Sequence, residues 1–220
     1  MAVRFSADGQ DYTRTISLGA QTQFSFSLWL KISVDRDAFS TPLSLDASSS
    51  DNCTLQTGSD GLQLDLRSGG VMASRVLTVG TWTFVGVSVN GANGTMVTRS
   101  VNDGSFTTAT WTTGKASTTL ANLRLGESSW GNEWLNGCLA SVKIWTGATL
   151  TATELQAEYP YKDPLRTANL RAFYAFDFAS TTDNSGNGWT LSGGVGTTSE
   201  SGPSLAALPG NFSGWGIPVF

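Results

Sequence analysis

The 220 residues carry 14% charged side chains, 25 glycines, no histidine and a net charge of −4. The 13 basic residues are scattered, so no cationic footprint for a phosphate backbone exists and nucleic acid is not expected as a partner. Without histidine, Ser-His-Asp and Cys-His catalysis and the commonest transition-metal ligand are absent. No apolar run approaches the roughly 18 residues that span a bilayer, so membrane insertion is not expected either.

In chain order, Met1 to Ser6 read as a strand rather than a cleavable leader. Phe24, Phe26, Leu28, Leu30 and Ile32 then alternate with Ser25, Ser27, Trp29 and Lys31. That period predicts a strand with one buried and one wetter face. Cys53 reads as a loop thiol and Cys138 as a small buried residue. The pair permits one disulfide, but spacing alone does not bring their Cα atoms within the required ~4.4–6.8 Å, and free thiols are the expectation.

Leu62, Leu64 and Leu66 follow a Ser59-Asp60-Gly61 turn, and Val85, Val87 and Val89 follow Gly80-Thr81-Trp82. Turns at 90–94 and 102–104 bracket a strand from Met96 to Val101, which makes a β-meander. A short strand is expected from Leu120 to Gly126. In the next one Cys138, Ala140, Val142 and Ile144 alternate with Leu139, Ser141, Lys143 and Trp145. Thr151 and Glu154 stand at capping-box spacing, Leu150 and Leu155 at staple positions, and Pro160 stops the helix they open. An aromatic strand is expected from Leu170 to Phe178, then a tight turn at 183–188 before a strand at Trp189-Thr190-Leu191.

Strands without intervening helices leave an all-β, two-sheet antiparallel jelly-roll sandwich with one short helix. Residues 1–202 make this domain and 203–220 an apolar Gly- and Pro-containing C-terminal extension. Leu208, Phe212, Trp215, Ile217, Val219 and Phe220 are too apolar for an idle tail, so the extension is expected to drive assembly.

Four segments resemble the laminin-G-like group of the concanavalin A-like lectin and glucanase superfamily. They are Val3 to Tyr12, Phe24 to Ile32, Trp82 to Val89, and Leu135 to Tyr159. Leu170 to Leu191 resembles a fifth, which many members place before the opening strand. Its position after the helix implies a permuted arrangement, with an edge strand from the C-terminal side. The resemblance implies two sheets of about six or seven strands and, in some members, bound calcium.

The glucanase branch works through Glu-x-Asp-x-x-Glu on one strand, and nothing here matches. Glu127 and Glu133, six residues apart, are the nearest carboxylate pair and read as a solvated loop, so no enzyme is expected. Where many relatives place an acid on the closing strand this chain has Ala140 or Ser141, which weakens the implied calcium, and no cofactor is expected. Asp8, Asp11 and Asp46 are the metal-ligand candidates, with Asp51, Asp177 and Asp183 behind them, although turn-forming Asp is the plainer reading. Trp29, Trp82, Trp134 and Trp145 read as structural. Trp130 and Trp111 are the candidates for stacking on a sugar face, with Asn132 and Glu133 as polar partners. The expected role is a non-catalytic binding or structural module on a virion, as capsid decoration or in a tail, whose partner is a glycan or a capsid protein. A lectin at a cell surface is the alternative, and a glycoside hydrolase the third reading.

Overall fold

The computed structural model describes residues 1–35, 38–58, 62–68, 70–129, 133–177 and 180–206. The strands are β1 (Ala2–Phe5), β2 (Tyr12–Thr15), β3 (Ala20–Gln21), β4 (Gln23–Ile32), β5 (Ser40–Ser48), β6 (Asp51–Thr57), β7 (Gln63–Arg67), β8 (Val71–Val76) and β9 (Thr83–Asn90). They continue as β10 (Asn93–Ser100), β11 (Thr107–Trp111), β12 (Thr118–Thr119), β13 (Asn122–Leu125), β14 (Gly137–Thr146), β15 (Leu170–Tyr174), β16 (Ser192–Gly193) and β17 (Thr198–Glu200). A single helix, α1 (Ala152–Ala157), lies between β14 and β15.

Two antiparallel sheets face one another as a jelly roll. The first runs β11-β10-β9-β4-β14-β1-β17, and β15 also pairs with β14. The second runs β16-β2-β13-β5-β6-β7-β8. The permuted edge is present: β15 and β17, both after the helix, pair with β14 and β1. Residues 137–139 of β14 bond to β1 and 142–145 to β15. Between them lies a bulge, with Ser141 at φ 47°.

That bulge corrects the simple alternation expected of β14. Leu139, Val142 and Ile144 join the core between the sheets, while Cys138, Ala140 and Trp145 join a separate cluster on the outer face. One extra residue shifts the period, so the inward set is not the one alternation predicts.

The core between the sheets is apolar, as the period-two pattern requires. Phe24, Phe26, Leu28, Leu30 and Ile32 of β4 pack there with Leu43, Leu45, Leu55, Leu64 and Leu66 of the second sheet. The other face of β4 is not the wetter one expected, for Ser25, Ser27 and Trp29 are buried too. A second apolar layer covers them, built from Trp29, Phe84, Val97, Trp145, Leu150 and Leu155, with Tyr159 packed against it.

The helix forms as its sequence dictates. Glu154 N–H donates to the Thr151 hydroxyl at 3.2 Å, and Thr151 N–H donates to the Glu154 carboxylate at 2.8 Å, closing the capping box. Leu150 and Leu155 both sink into the outer layer, which holds the entry angle. Gly86 of β9 makes room: a Cβ there would lie 2.9 Å from Val97 and 3.2 Å from Leu155.

Segment 158–167 is clamped on the outward side of β14. The Ser141 hydroxyl donates to the Lys162 carbonyl (2.6 Å), Lys143 Nζ to the Tyr161 carbonyl (3.0 Å), and Trp145 Nε1 to the Arg166 carbonyl (2.9 Å). Lys143 also meets the buried Glu158 carboxylate at 2.8 Å, which accepts the N–H groups of Leu165 and Arg166 as well. Both charged ends of this buried pair are therefore hydrogen-bonded more than once.

Several local expectations change. Cys53 sits in β6, fully buried, rather than in a loop, because its position faces the core. Cys138 is buried as expected, but in the outer layer, and both thiols are free. The turn after β9 is only Gly91-Ala92, with Asn90 paired to Asn93. Trp189 to Leu191 is not a strand, although both apolar side chains are buried. β15 ends at Tyr174, before Phe176 at φ 53°. In the extension, Leu205 packs against the outer layer and Ala206 bridges to Tyr161. Residues 207–220 lie outside the described residues.

Candidate functional site

The outward face of the second sheet holds a polar groove. In β6, Cys53 and Leu55 enter the core, so Asn52, Thr54 and Gln56 face the other way in a row two residues apart. These side chains line a cavity of about 420 Å³ together with Ser49, Ser50, Arg67, Gly70 and Glu133. Arg67 enters from β7, and Glu133 from the segment before β14.

Hydrogen bonds fix the groove floor before any ligand arrives. Asn52 donates to the Ser49 carbonyl at 2.6 Å, and the Thr54 hydroxyl lies 3.0 Å from that of Ser44. Arg67 Nη1 donates to Gln56 Oε1. Glu133 is held twice by Thr41, whose N–H donates to its carbonyl at 2.7 Å and whose hydroxyl donates to its carboxylate at 3.2 Å. At the turn end, hydrogen bonds from Thr119 and from Lys115 keep the Asp51 carboxyl below the usual carboxylate range. One cation and one carboxylate among amides and hydroxyls suit a neutral, polyhydroxylated ligand.

The residues singled out from sequence are dispersed. Glu133 lines the groove. Trp130 and Asn132 lie outside the described residues. Trp111 is buried in the core against Gly94, not exposed for stacking, because its position on β11 faces inward. Glu127 lies apart from Glu133 and accepts the Gly9 N–H at 3.1 Å. Burial, then neighbouring Asp8 and Asp11, raise its carboxyl pKa.

Asp8 and Asp11 neighbour Glu127, while Asp11 and Asp46 share Arg124. Asp46 is buried, accepts the Ser44 hydroxyl at 2.8 Å, and lies 3.7 Å from the Arg124 guanidinium, which reaches Asp11 at 4.0 Å. The chain's own cation thus stands between two of the three carboxylates. Among the described residues no group of three acidic or thiol side chains is placed to hold a metal ion. Of Ala140 and Ser141, the two positions weighed for a calcium-binding acid, Ser141 donates its hydroxyl to the Lys162 carbonyl at 2.6 Å.

Asp183 is a structural knot. Its carboxylate accepts the N–H groups of Phe173 (3.1 Å), Ser185 (2.9 Å) and Trp189 (2.9 Å). Burial opposes ionisation there, but Ser185 and these N–H groups hold the carboxyl below its ordinary range. The Gly- and Asn-rich turn at 183–188 is therefore wound around an internal anion.

Asn52, Thr54, Gln56 and Arg67 line the groove, and sequence reasoning did not single them out. The signal was present as polar alternation through Asn52-Cys53-Thr54-Leu55-Gln56, but that pattern also describes a solvated sheet face.

Residues 6–156 match the laminin-G-type family model of the concanavalin A-like lectin/glucanases superfamily. The chain belongs to this superfamily. Solved structures of similar fold include bacteriophage CBA120 tailspike protein 2, in its enzymatically active domain, at 13% identity and TM-score 0.58 over 80% of this chain. The native heptameric SAP-like pentraxin of Limulus polyphemus is 17% identical at TM-score 0.55, covering 89% of this chain and 92% of its own. Trypanosoma rangeli sialidase is 11% identical at TM-score 0.55, over 74% of this chain. The chain spans 32% of that tailspike domain and 28% of that sialidase. At these identities the likeness shows the fold alone. No curated protein matches the sequence.

Proposed function

We propose that this superfamily member is a non-catalytic carbohydrate-binding module that holds an oligosaccharide along β6. The row of Asn52, Thr54 and Gln56 between Arg67 and Glu133 carries the reading. Amides and hydroxyls at two-residue spacing present donors and acceptors about 6.6 Å apart, a repeat on which successive sugar hydroxyls can register. Among the described lining residues Glu133 is the one carboxylate, whereas glycoside hydrolysis uses two across the scissile bond. Trp130, three residues before Glu133, remains the proposed stacking partner. The proposed setting is a virion, in a capsid or tail, where a bound glycan would belong to a host surface.

A glycan array with the purified chain tests this. A defined glycan signal that falls at least ten-fold in Arg67→Ala and Gln56→Ala, with unchanged thermal midpoints, is the expected result. Silence across the array, or a signal indifferent to both substitutions, would remove the groove as the site. Turnover of any bound polysaccharide would replace the module with a hydrolase. Capsid or tail genes beside this one would support the virion setting.

A further inference from the structure

The outward face of the first sheet carries a second concavity, on the other side of the sandwich from the β6 groove. Strand register sets two rungs of uncharged polar side chains across it. In one, Ser25 of β4 stands opposite Ser88 of β9, Ser88 opposite Thr95 of β10, and Thr95 opposite Thr110 of β11. In the other, Gln23 stands opposite Asn90, and Asn90 opposite Asn93. These side chains point away from the core, because Val87, Met96 and Trp111, which alternate with them, fill it.

Residues 147–151, leading into α1, build a wall over the β4 end of both rungs. Gly147 N–H donates to the Gln23 carbonyl at 2.9 Å, Leu150 N–H to the Ser25 hydroxyl at 3.0 Å, and the Thr149 hydroxyl to the Val89 carbonyl at 3.4 Å. The rungs run out from beneath that wall, and the space between holds about 330 Å³. Ser88, Asn90, Asn93, Thr95 and Thr110 line it from the sheet, with Thr112 just past β11. Thr149, Leu150 and Thr151 line it from the wall, and Gly94 and Trp111 complete the lining.

None of these lining residues is charged, so a charged ligand would give up hydration there with no opposite charge in return. The inner part of each rung is fixed in advance: Ser88 lies 3.0 Å from the Ser25 hydroxyl, and Asn90 accepts from Gln23 at 3.2 Å. Further out, no hydrogen bond among the described residues takes up the side chains of Asn93, Thr95, Thr110 or Thr112. Hydroxyls and an amide that both donate and accept, set beside Leu150 and threonine methyls, match a ligand with hydroxyls at its edge and C–H groups on its face.

We propose that this concavity is a second saccharide site, for a neutral sugar unit whose hydroxyls bond Thr95 and Thr110. It shares no residue with the β6 groove and stands whether or not that groove binds. With both filled, one chain bridges glycans on opposite faces of the sandwich.

Backbone amide shifts of the full chain, followed by NMR during titration with the methyl glycosides of glucose, galactose, mannose and N-acetylglucosamine, test it. At least one glycoside should move the signals of Ser88, Asn93, Thr95, Thr110 and Thr149. Thr95→Val/Thr110→Val keeps the β-branched shape, removes both hydroxyls, and should weaken that binding about ten-fold at an unchanged thermal midpoint. Thr108→Val, exposed on the same strand but outside the lining, should bind as the parent does. Methyl glucuronide, which adds a carboxylate, should bind more weakly than methyl glucoside. If no glycoside moves these signals, whether the lining rejects sugars or another part of the chain fills it, the proposal is overturned. Shifts that survive the double substitution, or tighter binding of the glucuronide, overturn it too. Shifts confined to Asn52, Thr54 and Gln56 overturn it while supporting the β6 groove.

Discussion

Gly94 and Trp111 face each other across β10 and β11, and a Cβ on Gly94 would lie 2.0 Å from the indole ring and 2.6 Å from the Ser88 carbonyl. The backbone oxygen cannot retreat as a flexible side chain would. Gly94→Ala should therefore cost about 1–3 kcal/mol by overpacking, and Trp111→Ala about 3–5 kcal/mol by leaving a cavity, both measured by urea denaturation. Glu127 behaves differently. Its folded pKa is raised, so its contribution to stability is full below the unfolded value, near 4.3, and is lost as pH rises through the folded value. Glu127→Gln keeps an acceptor for Gly9 and removes repulsion from Asp8 and Asp11. The thermal midpoint of this variant should match or exceed the parent at pH 7, and the gain should vanish by about pH 4. Asp183 carries the opposite sign: with its pKa lowered, its contribution is present above the unfolded value near 3.9 and lost as pH falls through the folded one. In Asp183→Asn the acid-side loss of stability should shrink, at the expense of a lower midpoint at pH 7.

At the scale of elements, α1 was legible because each of its signals is local. Thr151, Glu154, Leu150 and Leu155 lie within six residues, and the structure uses all four as their spacing implies. Thr151→Ala should cost about 1 kcal/mol in denaturant melts, the usual value of an N-cap. β4 was legible on one side only. Its inward residues follow from alternation, whereas Ser25 and Trp29 are buried by Leu150, Leu155 and Tyr159, which arrive more than a hundred residues later. β14 shows the complementary limit: a bulge at Ser141 exchanges faces midway, and no residue there announces it. The groove failed to emerge for the same reason as the cover of β4. Asn52, Thr54 and Gln56 line a groove together with Arg67 from another strand and Glu133 from a distant segment. The ion pairing of the acidic candidates was equally hidden, because Arg124, itself unremarkable in sequence, reaches both Asp11 and Asp46.

For the whole molecule, the grip of β14 on the segment after the helix sets where a working domain can be cut. The family match stops at residue 156. A fragment ending there would keep Lys143, 1% exposed, and discard Glu158, its buried counter-ion, along with the carbonyls of Tyr161, Lys162 and Arg166. Losing one member of such a pair costs roughly 3–5 kcal/mol, a large part of the stability of an ordinary domain. The edges of β1 and β14 would also be stripped of β17 and β15, leaving two open ladders prone to aggregate. Fragment 1–156 should be insoluble or molten by near-ultraviolet circular dichroism, while fragment 1–206 should melt cooperatively. The matched portion of the fold and the portion whose contacts close on themselves are different lengths: the sandwich of residues 6–156 leans on the fifty residues that follow it.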